Sequence, residues 1–290
     1  MTKGSNPLAW RTLALSATMA AALAACGGGG SGSNSTTATP VTLSGVAATG
    51  AAFTGAVITV TDKNGTVVGT SSTIGADGTF NITLSSTAVA PFVLTATRTD
   101  ADGVVESLVS MVPTAATSAT VNVSPVTTLI ASRLSPTGDP ALLSAQVANN
   151  PGLVTTSTVS TAVSDVQAIL APVLAATGSS STDPLTGTFT TNGTGYDRLL
   201  DTIKVTITPS GSSSNIEIGI KQEQAEGDVP VVIPLTNTTA PSAVQAPTID
   251  ATKLLAPGTS ALIQSHLTQL TNCFAQATAI RVSNPNPTAS

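Results

Sequence analysis

The sequence predicts a mainly β fold: an antiparallel β-sandwich in residues 41–126, followed by an α+β region in residues 127–276 that combines helices with a β-hairpin. In the first region, short runs of alternating apolar and polar residues are separated by turn-forming dipeptides. After residue 124 the apolar residues recur at spacings of three and four, which is typical of helices. Charged residues make up 9% of the 290 residues, against roughly 25% in ordinary soluble domains, and this composition favours a β-rich exported chain.

The sandwich is predicted from strands that place one face in a core. Phe80, Ile82 and Leu84 alternate with polar residues, and Phe92 and Leu94 alternate with Val93 and Thr95. We therefore expect the side chains of the two alternating sets, Phe80, Ile82, Leu84, Phe92 and Leu94, to be buried. Further strands are predicted at 41–47, 56–61, 107–112 and 119–123. About seven strands in roughly 85 residues indicate a small sandwich. Asparagine–glycine and aspartate–glycine dipeptides, which accept positive φ, supply its turns at 64–65, 77–78 and 102–103.

Three glycine-containing segments of this region carry a resemblance to a known family. Residues 45–50, 55–62 and 75–80 are similar to segments of the carboxypeptidase regulatory-like domain, a transthyretin- or immunoglobulin-like β-sandwich common in bacterial envelope proteins. The resemblance covers residues 41–126 only. Since such domains are non-catalytic appendages, it implies a structural or binding role and no peptidase activity.

The helices of the second region are predicted from their capping residues. Ser124-Pro125 and Asp139-Pro140 each combine an N-cap with a proline suited to the first helical turn, and the second of these helices should end near Asn149. Apolar residues between 159 and 173 predict a third helix, which Pro172 should kink or end early and Gly178 should terminate.

The rest of the α+β region is predicted as shorter elements. These are a loop at 178–195, a helical turn at 196–202, a β-hairpin from 203–208 and 216–221, an edge strand at 229–235, a linker at 241–257, an amphipathic helix at 259–276 and a disordered tail at 277–290. Residues 183–187 and 195–201 resemble segments of uncharacterised proteobacterial lipoproteins, a resemblance that implies no chemistry.

Residues 1–25 have the pattern of an export signal. Lys3 and Arg11 precede an apolar run that is shorter than the roughly 20 residues needed to span a bilayer. The run ends in Leu23-Ala24-Ala25-Cys26, which resembles the signal cleavage motif and lipidated cysteine of bacterial lipoproteins. The resemblance implies that Cys26 becomes an acylated N-terminus, palmitate included, and anchors the chain in a lipid bilayer. The alternative is an ordinary secretory signal that contains a cysteine.

The residues after Cys26 fit an anchored protein. Residues 26–40 form a flexible tether rich in Gly, Ser and Thr. Gly27 stands where an aspartate would retain the protein in the inner membrane, and by resemblance to Gram-negative sorting rules this implies the outer membrane. The full chain has 10 basic and 15 acidic residues, and loss of Lys3 and Arg11 with the signal leaves a net charge of −7. Nucleic acid is therefore not an expected partner.

Few residues offer catalytic or metal-binding chemistry, and we expect no cofactor and no metal. His266 is the single histidine, and we interpret it as part of the apolar face of the last helix. Asp62 and Asp100 open segments that look like the start of a calcium loop, but the later glutamate ligand is missing. We therefore interpret both segments as hairpin turns.

Three carboxylates leave a hydrolase open as an alternative in residues 180–235. Asp197, Asp201 and Glu217 could form the acidic pair that glycoside hydrolysis needs, although a solvated helix face is the favoured interpretation of Asp197 and Asp201. An exposed Tyr196 would instead favour glycan binding.

Cys273 is predicted to be an unpaired thiol, because lipidation of Cys26 removes its only partner in the chain. It lies seven residues from His266, about 10 Å along a helix, too far for a catalytic dyad. We expect a monomer, with a dimer linked through Cys273 as the alternative.

The sequence thus favours a non-catalytic, lipid-anchored envelope protein with a structural or interaction role, whose partners are the bilayer and a further envelope protein. The alternatives are the carboxylate hydrolase and a glycan- or calcium-binding adhesin module.

Overall fold

The computed structural model describes residues 40–100, 102–223 and 229–254. The signal, Cys26 and the tether up to residue 39 lie outside the described residues, as do the helix predicted at 259–276, with His266 and Cys273, and the tail at 277–290. What the sequence indicates for these segments stays a prediction.

Seven strands form two sheets in the first part of the chain. One sheet has the order β4-β1-β7, with β1 at Thr42–Val46, β4 at Thr79–Thr83 and β7 at Ser118–Thr120. The other has the order β3-β2-β5-β6, with β2 at Val57–Thr61, β3 at Val67–Thr70, β5 at Phe92–Thr99 and β6 at Val105–Val112. The predicted sandwich is therefore confirmed.

The sandwich differs from the prediction in strand direction and in one strand. β7 runs parallel to β1, whereas every other pair in the two sheets is antiparallel. Side-chain alternation reports which face of a strand is buried and carries no information on the direction of its neighbour, so the parallel pair could not be predicted. The four-residue strand β3 is too short to show an alternating pattern, and only Val68 in it is buried.

The core between the two sheets follows the predicted pattern. Phe92 and Leu94 are fully buried, and Phe80, Ile82 and Leu84 are buried as well, so all five predictions are confirmed. These residues form one cluster with side chains from all seven strands or their flanking residues. The alternation of β4, with Thr79, Asn81 and Thr83 exposed, places only its apolar side chains in this core.

The opposite face of the four-stranded sheet is also buried in part. Val93, Val109 and Met111 lie on this outer face and belong to a second apolar cluster, together with residues of the helices and the hairpin. The second cluster includes the helix residues Leu129 and Ile130, both fully buried. One sheet is thus shared between two cores, and the α+β region closes the second.

The predicted cap at Ser124 starts the first helix, whereas the helix predicted from Asp139-Pro140 begins as a 3-10 turn and becomes α-helical only at Leu143. Their bounds are Pro125–Leu134 (α1), Leu143–Asn149 (α2), Thr156–Ile169 (α3), Ala171–Ala176 (α4) and Gly195–Thr202 (α5). The Ser124 hydroxyl accepts a hydrogen bond from the Thr127 N–H at the start of α1, and the Asp139 carboxylate accepts one from the Ala141 N–H in the 3-10 turn Pro140–Leu142. Pro172 follows the break between α3 and α4, and Gly178, with φ of 69°, lies just beyond the end of α4.

A three-stranded antiparallel sheet of order β10-β9-β8 completes the described chain. Its strands are β8 at Ile203–Ser210, β9 at Ser213–Ile220 and β10 at Val231–Thr236. The predicted hairpin and edge strand are confirmed, and the hairpin strands extend further toward the turn at Gly211 than expected. Further 3-10 turns lie at Pro151–Leu153 and Pro241–Ala243. No helix among the described residues has the length and apolar character needed to cross a membrane.

Helix α1 covers the free edge of β6 with two hydroxyl groups. The Thr128 Oγ1 accepts a hydrogen bond from the Val109 N–H at 2.9 Å, and the Thr127 Oγ1 donates to the Val109 carbonyl oxygen at 2.8 Å. All three residues are buried. Because exposed backbone groups on an edge strand invite pairing with other chains, these contacts protect the edge as well as position the helix.

Candidate functional site

A cavity of about 310 Å³ lies where α5 meets the sandwich. It is lined by two successive turns of α5, by the residues before this helix, by the segment after β1 and by the turn before β4. The lining residues are Gly50, Ala51, Ala52, Ala76, Thr191, Asn192, Gly193, Asp197 and Asp201. The sequence singled out the two aspartates but missed the sandwich residues, which are small and offer no catalytic or metal-binding side chain.

Asp197 lies in the first turn of α5 and is only 1% exposed. Its Oδ2 accepts a hydrogen bond from the Gly193 N–H at 2.7 Å, while its Oδ1 is buried without a hydrogen-bond partner. Burial raises the pKa of the Asp197 carboxyl above its ordinary value, and the N–H groups of Gly193 and Asn192 oppose this effect. The carboxyl therefore carries a desolvation penalty that its hydrogen bonds only partly offset.

Asp201 lies one turn further along α5 and is 9% exposed. The segment after β1 crosses directly over it: a Cβ atom on Gly50 would lie 2.6 Å from the Asp201 Cα and 2.5 Å from its Oδ1. Gly50 also has φ of 97°, a conformation that other residues rarely adopt. Both the close approach and this φ therefore require glycine at position 50. Burial lowers the pKa of the Lys221 ammonium, and the charge of Asp201 works in the opposite direction.

The interpretation of Asp197 and Asp201 as a solvated helix face is therefore wrong. Both aspartates are buried because residues after β1, distant in the sequence, cover this face of α5. Helical periodicity alone could not reveal that cover.

The structure does not place Glu217, the third of the predicted carboxylates, near Asp197 and Asp201. Glu217 lies in β9 with its side chain exposed, beside Thr206 and Pro234 of the neighbouring strands. It does not line the cavity that contains Asp197 and Asp201. The two aspartates come from one helix, so opposed carboxylates on either side of a substrate are not present among the lining residues.

Tyr196 is part of the core and not of a binding surface. Its side chain is 2% exposed and packs edge-on against Phe189, with 5.1 Å between the ring centroids. Burial raises the pKa of the Tyr196 hydroxyl, which keeps it neutral. The exposed tyrosine that would have favoured glycan binding is thus not found.

The two segments that look like calcium loops are hairpin turns, as we interpreted them. The Asp62 carboxylate accepts hydrogen bonds from the N–H groups of Asn64 and Thr66, and the Asp100 carboxylate accepts them from Asp102 and Val104. The carboxylate oxygens therefore close their own turns. Across the described ranges, no three or more His, Cys, Asp or Glu side chains are grouped so as to hold a metal ion.

A second cavity, of about 350 Å³, lies between α1 and α3. At its edge Arg133 forms an ion pair with Asp165 at 2.6 Å and donates to the Thr239 carbonyl oxygen at 3.0 Å. The arginine thus connects two helices to the segment after β10, and all of its contacts are explained by this structural role.

A comparison with known families identifies the first part of the chain. Residues 34–115 match the family model described as a bacterial Ig domain, a match that ends just after β6. This match and the two packed sheets fit an immunoglobulin-like domain in this part of the chain. No curated protein and no solved structure matches the chain.

The match confirms the coarser expectation from the sequence, an immunoglobulin-like sandwich. Bacterial Ig domains are in general non-enzymatic, and the match indicates a structural or interaction role for this part of the chain. β7 and the α+β region lie beyond the matched residues.

Proposed function

We propose that this chain is a lipid-anchored protein of the bacterial cell envelope, with a structural or protein-interaction role and no catalytic activity. The observation that carries the proposal is the order of segments: a lipobox-like motif ending at Cys26, a tether to residue 40, and then an immunoglobulin-like domain. A Gly/Ser-rich tether lets a folded domain stand away from a lipid surface.

The buried outer face of the four-stranded sheet supports a role in which the sandwich and the α+β region act as one folded unit. α1 and the hairpin close a core on Val93, Val109 and Met111, so the α+β region packs directly against the sandwich. The tether would thus present both regions to a partner in one fixed geometry. The partner class we propose is a further protein of the envelope, with the protein itself monomeric.

The proposed location is the outer membrane, since Gly27 follows the lipidated cysteine. The finer resemblance to a carboxypeptidase regulatory-like domain is part of this proposal and implies the same non-catalytic role. A carboxylate hydrolase receives no support from the geometry, since Glu217 lies away from Asp197 and Asp201 and no aromatic residue lines their cavity.

Mass spectrometry of the membrane-extracted protein tests the anchor. We expect a mature chain that begins with an acylated Cys26, and release of the protein from the membrane fraction in a Cys26→Ala variant. The matched control is Cys273→Ala, which removes the other cysteine and should leave membrane attachment unchanged. Unmodified protein that starts at another residue, or a Cys26→Ala variant that remains membrane-bound, would contradict the proposal.

Cross-linking of intact cells then tests the interaction role. A Cys26→Ala variant exported to the periplasm should lose its cross-links to envelope proteins, or change their identity, while keeping the far-ultraviolet circular dichroism of the wild type. Hydrolysis of cell-wall glycan by the purified protein that is lost in Asp197→Asn would favour the hydrolase instead.

A further inference from the structure

Asp197 is buried where α5 meets the sandwich, and no basic residue lines the cavity beside it. We define the α5 junction as the segment after β1 (residues 48–52), the residues 191–193, and Asp197 and Asp201 of α5. Apart from the two aspartates, the residues that line its cavity are Gly, Ala, Thr and Asn, which do not titrate.

We propose that the α5 junction is a proton-sensitive latch, which holds the sandwich to α5 more tightly when the Asp197 carboxyl is protonated. The geometry that carries the proposal is the 1% exposure of Asp197 together with its Oδ1, which is buried and accepts no hydrogen bond. An ionised carboxylate needs donors on both oxygens once water is excluded, whereas a neutral carboxyl loses far less hydration on burial.

The hydrogen bonds at Asp197 do not remove this imbalance. The Gly193 N–H donates to Oδ2, so only one of the two oxygens of the ionised carboxylate accepts a hydrogen bond. The position of Asp197 in the first turn of α5 favours the ionised form through the helix dipole, an effect of typically 0.3–1 kcal/mol. Desolvation is the larger influence and raises the pKa of the carboxyl.

The charged groups around the junction belong to α5, to the hairpin strands and their ends, and to the turn before β4. Asp201 follows on the same helix, and its charge acts on Lys221 at the end of β9. Lys221 in turn lies near Lys204 of β8. From the turn before β4, Asp77 is exposed and binds Thr79, while its carbonyl oxygen accepts a hydrogen bond from Thr191 at 3.4 Å. Arg198 neighbours Asp197 in the chain, and its Nε has no hydrogen-bond partner.

The direction of the pH dependence follows from the raised pKa of Asp197. A group with a higher pKa in the folded state binds its proton more tightly there than in the unfolded chain. Its contribution to stability is therefore complete below the ordinary value of 3.8 and is lost as the pH rises through the native pKa. The latch is closed in acid and loosens toward neutral pH.

Titration of the wild-type protein by NMR tests the proposal without a variant. The carboxyl carbon of Asp197 should titrate above its ordinary pKa. Over the same pH range, the Thr49 N–H, which donates to the Ala51 carbonyl oxygen at 2.8 Å in the segment after β1, should lose protection against exchange. Each unit of pKa difference corresponds to about a tenfold change in the equilibrium between closed and open junction. An Asp197 carboxyl that titrates at or below its ordinary pKa would overturn the proposal.

Asp197→Asn supplies the matched test, because asparagine is a neutral isostere of the protonated acid. The variant should keep the Thr49 N–H protected at neutral pH and lose the pH dependence seen in the wild type. Asp102→Asn is the control: Asp102 is an exposed residue of the β5–β6 turn, and this change should leave the Thr49 profile as in the wild type. An Asp197→Asn profile that keeps the wild-type pH dependence would refute the latch.

Discussion

The two apolar cores of the molecule differ in how they are built. The sandwich core is lined by strands whose alternation marks the buried face, as in β4, where apolar and exposed polar residues follow each other. The second core combines the outer face of the four-stranded sheet with α1 and the hairpin strands. Its sheet residues, such as Val93 and Met111, lie on the face that alternation assigns to solvent. A strand's solvent face can thus be an interior surface once a later segment of the chain covers it.

The shared sheet makes the two regions dependent on each other. Residues of β5 and β6 contribute to both cores, and the hydroxyl groups of Thr127 and Thr128 bond to the edge of β6. A substitution that destabilises one core should therefore also destabilise the other. Mutations can test this dependence.

The largest effect is expected from separating the regions. A fragment ending at residue 124 keeps the whole sandwich but exposes Val93, Val109 and Met111 and leaves the Val109 backbone without its partners. An apolar patch of this kind on an edge strand favours aggregation. We expect the fragment to bind a hydrophobic dye and to lack a cooperative thermal transition.

A fragment that unfolds cooperatively as a monomer would show that the sandwich is stable without the second core. The control is a chain that starts at residue 40 and keeps the α+β region, which should unfold in one transition.

Paired truncations test whether the cores unfold together. Leu94→Ala in the sandwich core and Ile130→Ala in the second core each remove a fully buried side chain, and each should lower the free energy of unfolding by about 2–5 kcal/mol. We expect both variants to shift the same single transition in urea, followed by circular dichroism. Two separate transitions in either variant would mean that the cores are independent.

The smallest effect is expected at the covered edge of β6. Thr128→Val keeps the shape of the side chain but leaves the buried Val109 N–H without an acceptor, at a cost of about 1–3 kcal/mol. Thr128→Ser retains the hydroxyl and should recover most of this loss. Equal stability of the Val and Ser variants, measured by urea unfolding, would show that the hydroxyl does not support the edge.

The sequence predicted the elements that depend on local chemistry. Ser124 and Asp139 cap helical turns because their oxygens satisfy N–H groups nearby, and Asp62 and Asp100 close turns in the same way. The parallel pairing of β7 with β1 could not be predicted, because strand direction depends on the path between the sheets.

The candidate site was predicted only in part for a similar reason. The spacing of Asp197 and Asp201 showed that they share a face of α5, which the structure confirms through their common cavity. The cover over that face comes from Gly50 and its neighbours, far away in the sequence. The sequence shows only that position 50 is a glycine; its φ of 97° and the close approach of the two backbones become visible in the structure alone.

The position of β1 has a mechanical consequence for a chain held by its N-terminus. The chain enters the folded unit at β1, which lies in the middle of its sheet with β4 on one side and β7 on the other. Hydrogen bonds between strands run across the strand direction, so a pull along β1 loads them in shear, many at once. An edge strand would instead peel away one bond at a time. In the proposed lipid-anchored protein, a pull on the N-terminal side of β1 would therefore act first on the hydrogen bonds that join β1 to β4 and β7.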